Sequence, residues 1–126
     1  AADATYSLRL LQTGGRSSRV NLEVDLLGEG SSSEISVAMV AGSKQQLDLH
    51  SLIHHFVPSC ESRQQQKNIV SGNGECIFKG SIKVDKQAQQ TESSQICRSL
   101  LLSKQAKVKA MPSLQIHADD VACSHG

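Results

Sequence analysis

Strand-like alternation returns at nearly even steps along this chain, and that limits it to a few architectures. Val20, Leu22, Val24 and Leu26 alternate with Asn21, Glu23 and Asp25, a period of two that sends one set inward and the other outward. Tyr6, Leu8 and Leu10 do the same before them, and Ile35, Val37 and Met39 after them. Leu47 and Leu49 open a further run toward Phe56, which Pro58 ends. Phe78, Ile82 and Val84 face one way with Gly80 among them, while Lys79, Ser81, Lys83 and Asp85 face the other. Turn signals fall between the runs: residues 13–18 with Gly14 and Gly15, residues 28–33, Gly42-Ser43, and Ser71-Gly72-Asn73-Gly74, where Asn-Gly takes positive φ readily. Segments recurring roughly every 12–14 residues suggest a sandwich, a barrel or a solenoid. Two strands per coil would give a repeat of about 25 residues, within the range of stacked architectures. No repeat shows as sequence identity, so spacing alone leaves the choice open.

Two segments carry weaker patterns. Ser62 to Val70 is polar, with Gln64, Gln65 and Gln66 together; it reads as a solvated strand face ending in Ile69-Val70. Lys86 to Met111 has no Gly or Pro and is rich in Gln, Ala, Leu and Lys, with Ile96, Leu100 and Leu101 at helical spacing. Propensity alone makes it a helix about as readily as a strand.

The last fourteen residues, SLQIHADDVACSHG from Ser113, hold the candidate chemistry. Pro112 precedes them at what reads as a strand's first position, where no ladder N–H is needed. Leu114, Ile116 and Ala118 alternate with Gln115, His117 and Asp119. Cys123 and His125 follow, two residues apart. In extended backbone such a pair shares one face at roughly 6.6 Å, too far for a direct hydrogen bond without convergence. The spacing suits a shared metal, with Zn–S and Zn–N bonds of about 2.3 and 2.0 Å, and the donor types favour zinc, copper or iron–sulfur species over magnesium or calcium. A packed cysteine beside a surface histidine also fits. If Val121 faces the core, parity buries Cys123 and His125 with it, and a bend before Gly126 is needed to re-aim the imidazole.

Other candidates read blandly. His54 and His55 are adjacent, so a strand sends them to opposite faces and they cannot chelate together. His117 is a surface residue by parity. Asp119-Asp120 either tunes a ligating histidine or sits solvated in a turn. Cys60, Cys76 and Cys97 fit core packing, Cys60 with a chance of exposure beside Pro58. Gly80 suggests close approach of a neighbouring coil's backbone.

Composition excludes several classes. The chain has 126 residues, room for one domain (1–126) or a piece of one. Its apolar share of 38%, before counting nine glycines, supports a core, but with one Tyr, two Phe and no Trp that core must be aliphatic. Thirteen basic and twelve acidic residues are interspersed, for a net charge of +1, which gives no footprint for nucleic acid. No apolar run approaches the roughly 20 residues of a membrane helix. Four cysteines without C-x-x-C spacing do not make a disulfide scaffold, so an intracellular, reducing compartment is the default. No phosphate-binding glycine loop or G-x-S-x-G elbow occurs.

The run LQIHADDVACSHG, together with GECIFKGSIKV (Gly74 to Val84), AQQTESSQ (Ala88 to Gln95), SLLLS (Ser99 to Ser103) and the His54–His55 region, resembles the core domain of the SufB/SufD family of the SUF iron–sulfur cluster assembly system. The Cys-Ser-His-Gly ending resembles the SufD branch, since the SufB segment is typically acidic around a histidine. The resemblance is good over residues 46–126 and loose over the weakly patterned residues 1–45. It implies an all-β fold, a right-handed parallel β-helix of about four to five coils with open ends that are sticky unless capped. It makes Lys86 to Met111 strand, turn and strand, with Ser99 to Ser103 buried. In such proteins a helical region follows, so the chain looks like an excised core. The function implied is that of a non-catalytic scaffold that pairs with a SufB-like paralogue and works with a SufC-like ATPase docked on helical parts outside this chain. Nascent clusters form at the SufB interface, where His125 and, with it, Cys123 match the residues placed there; the cluster is transient, and none is held tightly by this chain alone. A homodimer is a further partner arrangement in the family, and plastid stroma or bacterial cytoplasm are its compartments. The resemblance carries none of Cys60, Cys76 and Cys97 over as ligands. Two other functions share the fold: an interaction solenoid without a metal site, and a carbohydrate-active β-helix enzyme. The second lacks the paired carboxylates and sugar-stacking aromatics it needs.

Overall fold

The computed structural model describes residues 2–126, and the described residues form nine strands and no helix. They are β1 (Thr5–Thr13), β2 (Ser17–Leu26), β3 (Ser32–Ala41), β4 (Gln46–His55), β5 (Glu61–Val70), β6 (Glu75–Val84), β7 (Thr91–Leu101), β8 (Lys107–Ile116) and β9 (Val121–His125). Odd-numbered strands form one sheet in the order β1-β3-β5-β7-β9, and even-numbered strands a second in the order β2-β4-β6-β8. Every pairing is parallel and skips one strand. That is a two-sheet β-solenoid of about four turns, in which each coil contributes one strand to each sheet.

The repeat is longer than the strand spacing predicts. Cα partners lie 27 residues apart between Thr5 and Ser32, 29 between Ser32 and Glu61, and 32 between Glu75 and Lys107. Most strands are ten residues long, nearly twice the usual strand, because each spans the full width of a coil. Gly14, Gly15, Gly30 and Gly72 take positive φ in the turns. In the Ser71–Gly74 turn the left-handed residue is Gly72; Asn73 instead accepts a hydrogen bond from the Lys44 N–H at 2.7 Å.

Inward positions stack into columns across successive coils. Ile35, Val37, Met39, Leu47, Leu49, Ile53, Phe78, Ile82 and Val84 are all buried, each such side chain contributing about 1.5–3 kcal/mol. The aliphatic core and the outward charged faces are those the alternation predicts. The glutamine run is not. Gln64 and Gln66 point inward and are 1% and 0% exposed, and Ser62 and Asn68 on the same face are each 1% exposed; only their odd-numbered neighbours are solvated. Coil register decides this: Gln64 stacks on Ile35 and Gln66 on Val37.

The segment from Lys86 to Met111 is strand, turn and strand, as the family resemblance implies. Its middle is not buried, however. Leu100, Leu101 and Leu102 are 55%, 49% and 60% exposed: Leu100 falls on the outward face beside Ile69, and among the described residues β9 pairs only with Thr91–Gln95. Pro112 lies inside β8 rather than at its start. It stands opposite Gly80 of β6. Ile116 shares the inward face yet is 37% exposed.

Candidate functional site

Column arithmetic places the last strand. Thr91 pairs with Val121, Ser93 with Cys123 and Gln95 with His125, and Thr91, Ser93 and Gln95 all face inward and are buried. Cys123 and His125 therefore occupy the inward face of β9, with Val121. No bend re-aims the histidine: β9 runs straight through His125, and the imidazole is exposed because no further strand stacks on it among the described residues. The terminal backbone is held in register by Gly126 N–H donating to Gln95 O and Cys97 N–H donating to Gly126 O, both at 2.8 Å.

The two candidate ligands differ in setting. Cys123 is half-buried against the apolar cluster of Ile82, Val84, Ala88 and Ala118, and burial pushes its thiol pKa up. His125 instead lines a space of about 420 Å³ between β7, β8 and β9, together with Gln95, Cys97, Ser99, Phe78 and Pro112. The structure thus brings a third residue, Cys97, to the histidine's cavity. Its thiol accepts a hydrogen bond from Asn68 Nδ2 at 3.4 Å. Burial raises its pKa, and the hydrogen bonds from Asn68 and Ser99 work the other way. Among the described residues no three His, Cys, Asp or Glu side chains converge tightly enough to hold a metal ion. The donors present, thiol and imidazole, fit zinc, copper or iron–sulfur species in type.

The remaining candidates are structural. His54 and His55 do point to opposite faces. Outward, His54 Nε2 meets Asp85 Oδ1 at 2.7 Å and its ring stacks on Phe56 at 3.5 Å. Inward, His55 is fully buried, with Nε2 2.9 Å from Ser62 Oγ, which in turn lies 2.7 Å from Ser93 Oγ. Burial first, and then the neighbouring His54, lower the His55 pKa to about 4. His117 is exposed, as are Asp119 and Asp120, which form the turn before β9. Cys60 is buried rather than exposed, its thiol donating to Gly28 O at 3.3 Å. Cys76 is also buried, and burial above all raises its pKa to about 11. Gly80 makes room for side chains, not for a neighbour's backbone: the Gln95 amide and the Phe78 ring fill the space a Cβ would take.

Sequence reading missed the polar column beneath the site. Gln95 Nε2 donates to Gln64 Oε1 at 3.1 Å, Gln64 Nε2 to Ser51 Oγ at 3.0 Å, and Gln66 Nε2 to Asn68 Oδ1 at 2.9 Å. The signal was present in parity, since Ser62, Gln64, Gln66 and Asn68 share the face of Val70.

A two-sheet parallel solenoid that carries an inward-facing Cys-x-His on β9 defines the class: a β-helical core domain with thiol and imidazole donors on its inward face. The chain belongs to the family described as SUF system FeS cluster assembly, SufBD core domain, whose model matches residues 1–126. It is 43% identical to the chloroplastic protein ABCI7 of Arabidopsis thaliana over 99% of its own length and 26% of that protein. It is 36% identical to the iron-sulfur cluster assembly protein SufD of Escherichia coli over 100% of its own length and 30% of that protein. An iron-sulfur cluster assembly SufBD family protein of Synechocystis is 35% identical over 96% of the chain and 27% of its own length. The chain therefore spans less than a third of these relatives, and it is a SufD-like core of the SufBD family.

Proposed function

We propose that this chain is the core of a non-catalytic scaffold subunit that pairs with a SufB-like paralogue, works with a SufC-like ATPase, and presents His125 and Cys123 to a nascent iron–sulfur cluster at the shared interface. The observation that carries the reading is the placing of the Cys-x-His pair: Cys123 and His125 share the inward face of β9, in register with Ser93 and Gln95, in a chain whose whole length matches the SufBD core domain. Imidazole suits a transient site, because a neutral ligand competes with protons and leaves more readily when protonated. The cluster is cargo, held transiently and not retained tightly by this chain alone. The likeness to a chloroplastic protein at 43% identity supports plastid stroma as the compartment, with bacterial cytoplasm as the alternative given by the SufD of Escherichia coli.

The test uses the full-length parent, produced anaerobically with its SufB-like and SufC-like partners. Iron and acid-labile sulfide are measured on the purified complex with the unaltered chain and with His125→Ala. The expected result is an intact complex that loses most of both. Equal iron and sulfide in the two complexes would move the site to the partner, and failure to form any complex would favour a solenoid with no cluster role.

A further inference from the structure

We infer that the outer face of the odd-numbered sheet is a docking site for an acidic, amphipathic α-helix of a partner protein, seated on the row Val40, Ile69 and Leu100 with its carboxylates over Lys67 and Arg98. The site lies apart from Cys123 and His125, and the inference goes beyond the cluster role without resting on it. Three observations carry it.

The first is an apolar row. Val40, Ile69 and Leu100 are successive register partners on β3, β5 and β7. All three point outward, and they are 36%, 38% and 55% exposed. β5 has a paired strand on each side, so the exposure of Ile69 belongs to the face of the sheet and not to either end of the solenoid. Apolar side chains scattered singly on a surface need no explanation, but a contiguous row of them marks an interaction site.

The second is charge. Lys67 and Arg98 are register partners in the neighbouring outward row, and with Gln65 and Ile96 they line a cleft of about 90 Å³ between β5 and β7. Among the described residues the ion pairs are Arg19–Asp48, His54–Asp85 and Lys109–Glu75, so neither cation has a carboxylate. Two like charges about 4.8 Å apart in the ladder repel, and carboxylates from a partner would relieve them. The acids of this face lie elsewhere. Glu34 is the register partner of Arg63, and Glu61 and Glu92 pair with each other near the strand starts. Lys67 is six residues along β5 from Glu61, about 20 Å. A polyanion spread over the whole face would meet those three carboxylates, whereas a narrow acidic edge over Lys67 and Arg98 does not.

The third is spacing. The rows run across the strands, so Val40 to Leu100 spans two ladder steps, about 9.6 Å. Positions i and i+7 on one face of a helix are about 10.5 Å apart, with i+3 or i+4 between them. An extended segment repeats its face every two residues, about 6.6 Å, and two such steps overshoot the row at about 13 Å. The charged row is two residues from the apolar row, about 6.6 Å, close to the radius of a helix 10–12 Å across. A helix lying on Val40, Ile69 and Leu100 therefore holds one flank over Lys67 and Arg98.

The test titrates the full-length protein against a labelled, hydrocarbon-stapled helical peptide of about 14 residues, with leucines at i, i+4 and i+7 and glutamates along one flank, read by fluorescence anisotropy. A second peptide carries lysines in place of the glutamates. The acidic peptide should bind about tenfold more tightly than the basic one, with the gap narrowing as salt rises. Lys67→Glu combined with Arg98→Glu should reverse the preference, and Ile69→Gln should weaken the acidic peptide about tenfold. All three positions are exposed, and native circular dichroism of each variant separates lost docking from lost fold. Equal affinity for the two peptides, no binding of either, or acidic-peptide binding that survives the charge reversal would overturn the inference. So would anionic phospholipid vesicles binding this face, with loss in Ile69→Gln, where the peptide does not. Peptide docking in a protein whose complex carries no cluster would uphold this site and sink the scaffold reading, and a cluster-bearing complex without peptide docking would do the reverse.

Discussion

Gln64 and Gln66 are the same residue type, two apart on the same strand, both inward and both buried, yet replacing each by Met should have unequal consequences. The difference lies in what each amide leaves behind. Gln64 receives the Gln95 Nε2 bond at 3.1 Å and exchanges bonds with Ser51 Oγ. Gln64→Met strands the Gln95 N–H and the Ser51 hydroxyl in the core. An orphaned buried polar group costs about 1–3 kcal/mol; allowing for the apolar gain of the thioether, the net loss is about 2–4 kcal/mol. Gln66 is already imperfect: its Oε1 has no partner, and its only bond runs to Asn68 Oδ1 at 2.9 Å. Gln66→Met removes one orphan and creates another at Asn68, so the net change stays within about 1 kcal/mol. The two variants should therefore differ by about 2 kcal/mol, or about 30-fold in a local opening equilibrium. Hydrogen exchange of β5 amides in the full-length protein reads that equilibrium directly. Protection over Glu61–Val70 should fall about 30-fold further in Gln64→Met than in Gln66→Met. Equal loss in the two, or greater loss in Gln66→Met, would refute the claim that hydrogen-bond partners rather than side-chain volume govern this column.

Two other expectations follow from the same core. Gly80→Ala places a methyl 2.5 Å from Phe78 Cζ and against the hydrogen-bonded Gln95 amide; overpacking of about 1–3 kcal/mol outweighs the 0.4–1 kcal/mol or so gained from a stiffer unfolded chain, so the unfolding midpoint should drop, and an unchanged or raised midpoint would show that the ring and amide yield freely. His55 has its pKa lowered to about 4 from 6.5 by burial and by His54, so the unfolded chain binds the extra proton first as pH falls. Its contribution is fully present above pH 6.5 and is lost progressively down to about pH 4, by at most roughly 3 kcal/mol; His55→Gln should flatten the pH dependence of the unfolding midpoint across that window, and an unaltered slope would assign acid sensitivity to other groups.

How much of this was legible beforehand depended on whether a residue's environment is local. Val20 to Leu26 and Ile35 to Met39 announce their strands because alternation is a property of consecutive residues. Gln64 and Gln66 did not announce their burial, because the reason for it sits 31 residues away at Gln95 and in the facing sheet at Ser51. Ser99 to Ser103 failed in the opposite sense: the motif reads as core, but Leu100 has the outward parity of Ile69, and Leu101 and Leu102 are exposed among the described residues. Cys97 carried no signal at all, since its nearness to His125 arises only when coils stack in the observed register.

Following one inward column from coil to coil shows what the stacking does to the site. Leu8, Ile35, Gln64, Gln95 and His125 are successive register partners. The column beside it runs Leu10, Val37, Gln66 and Cys97. Both change from aliphatic to amide at β5, and beyond it one reaches imidazole and the other thiol. Aliphatic layers hold coils together but discriminate poorly between a correct register and a slipped one, since dispersion and burial have no direction. Amides do discriminate: Gln95 reaches Gln64 Oε1, and Asn68 reaches Cys97 and Ser99, only when the coils are aligned as they are. A one-residue slip of β7 would turn every one of these partners to the other face. The polar layers therefore fix the position of β7, and β7 fixes β9 through the Gly126 and Cys97 backbone bonds. The location of His125 is set two coils below it.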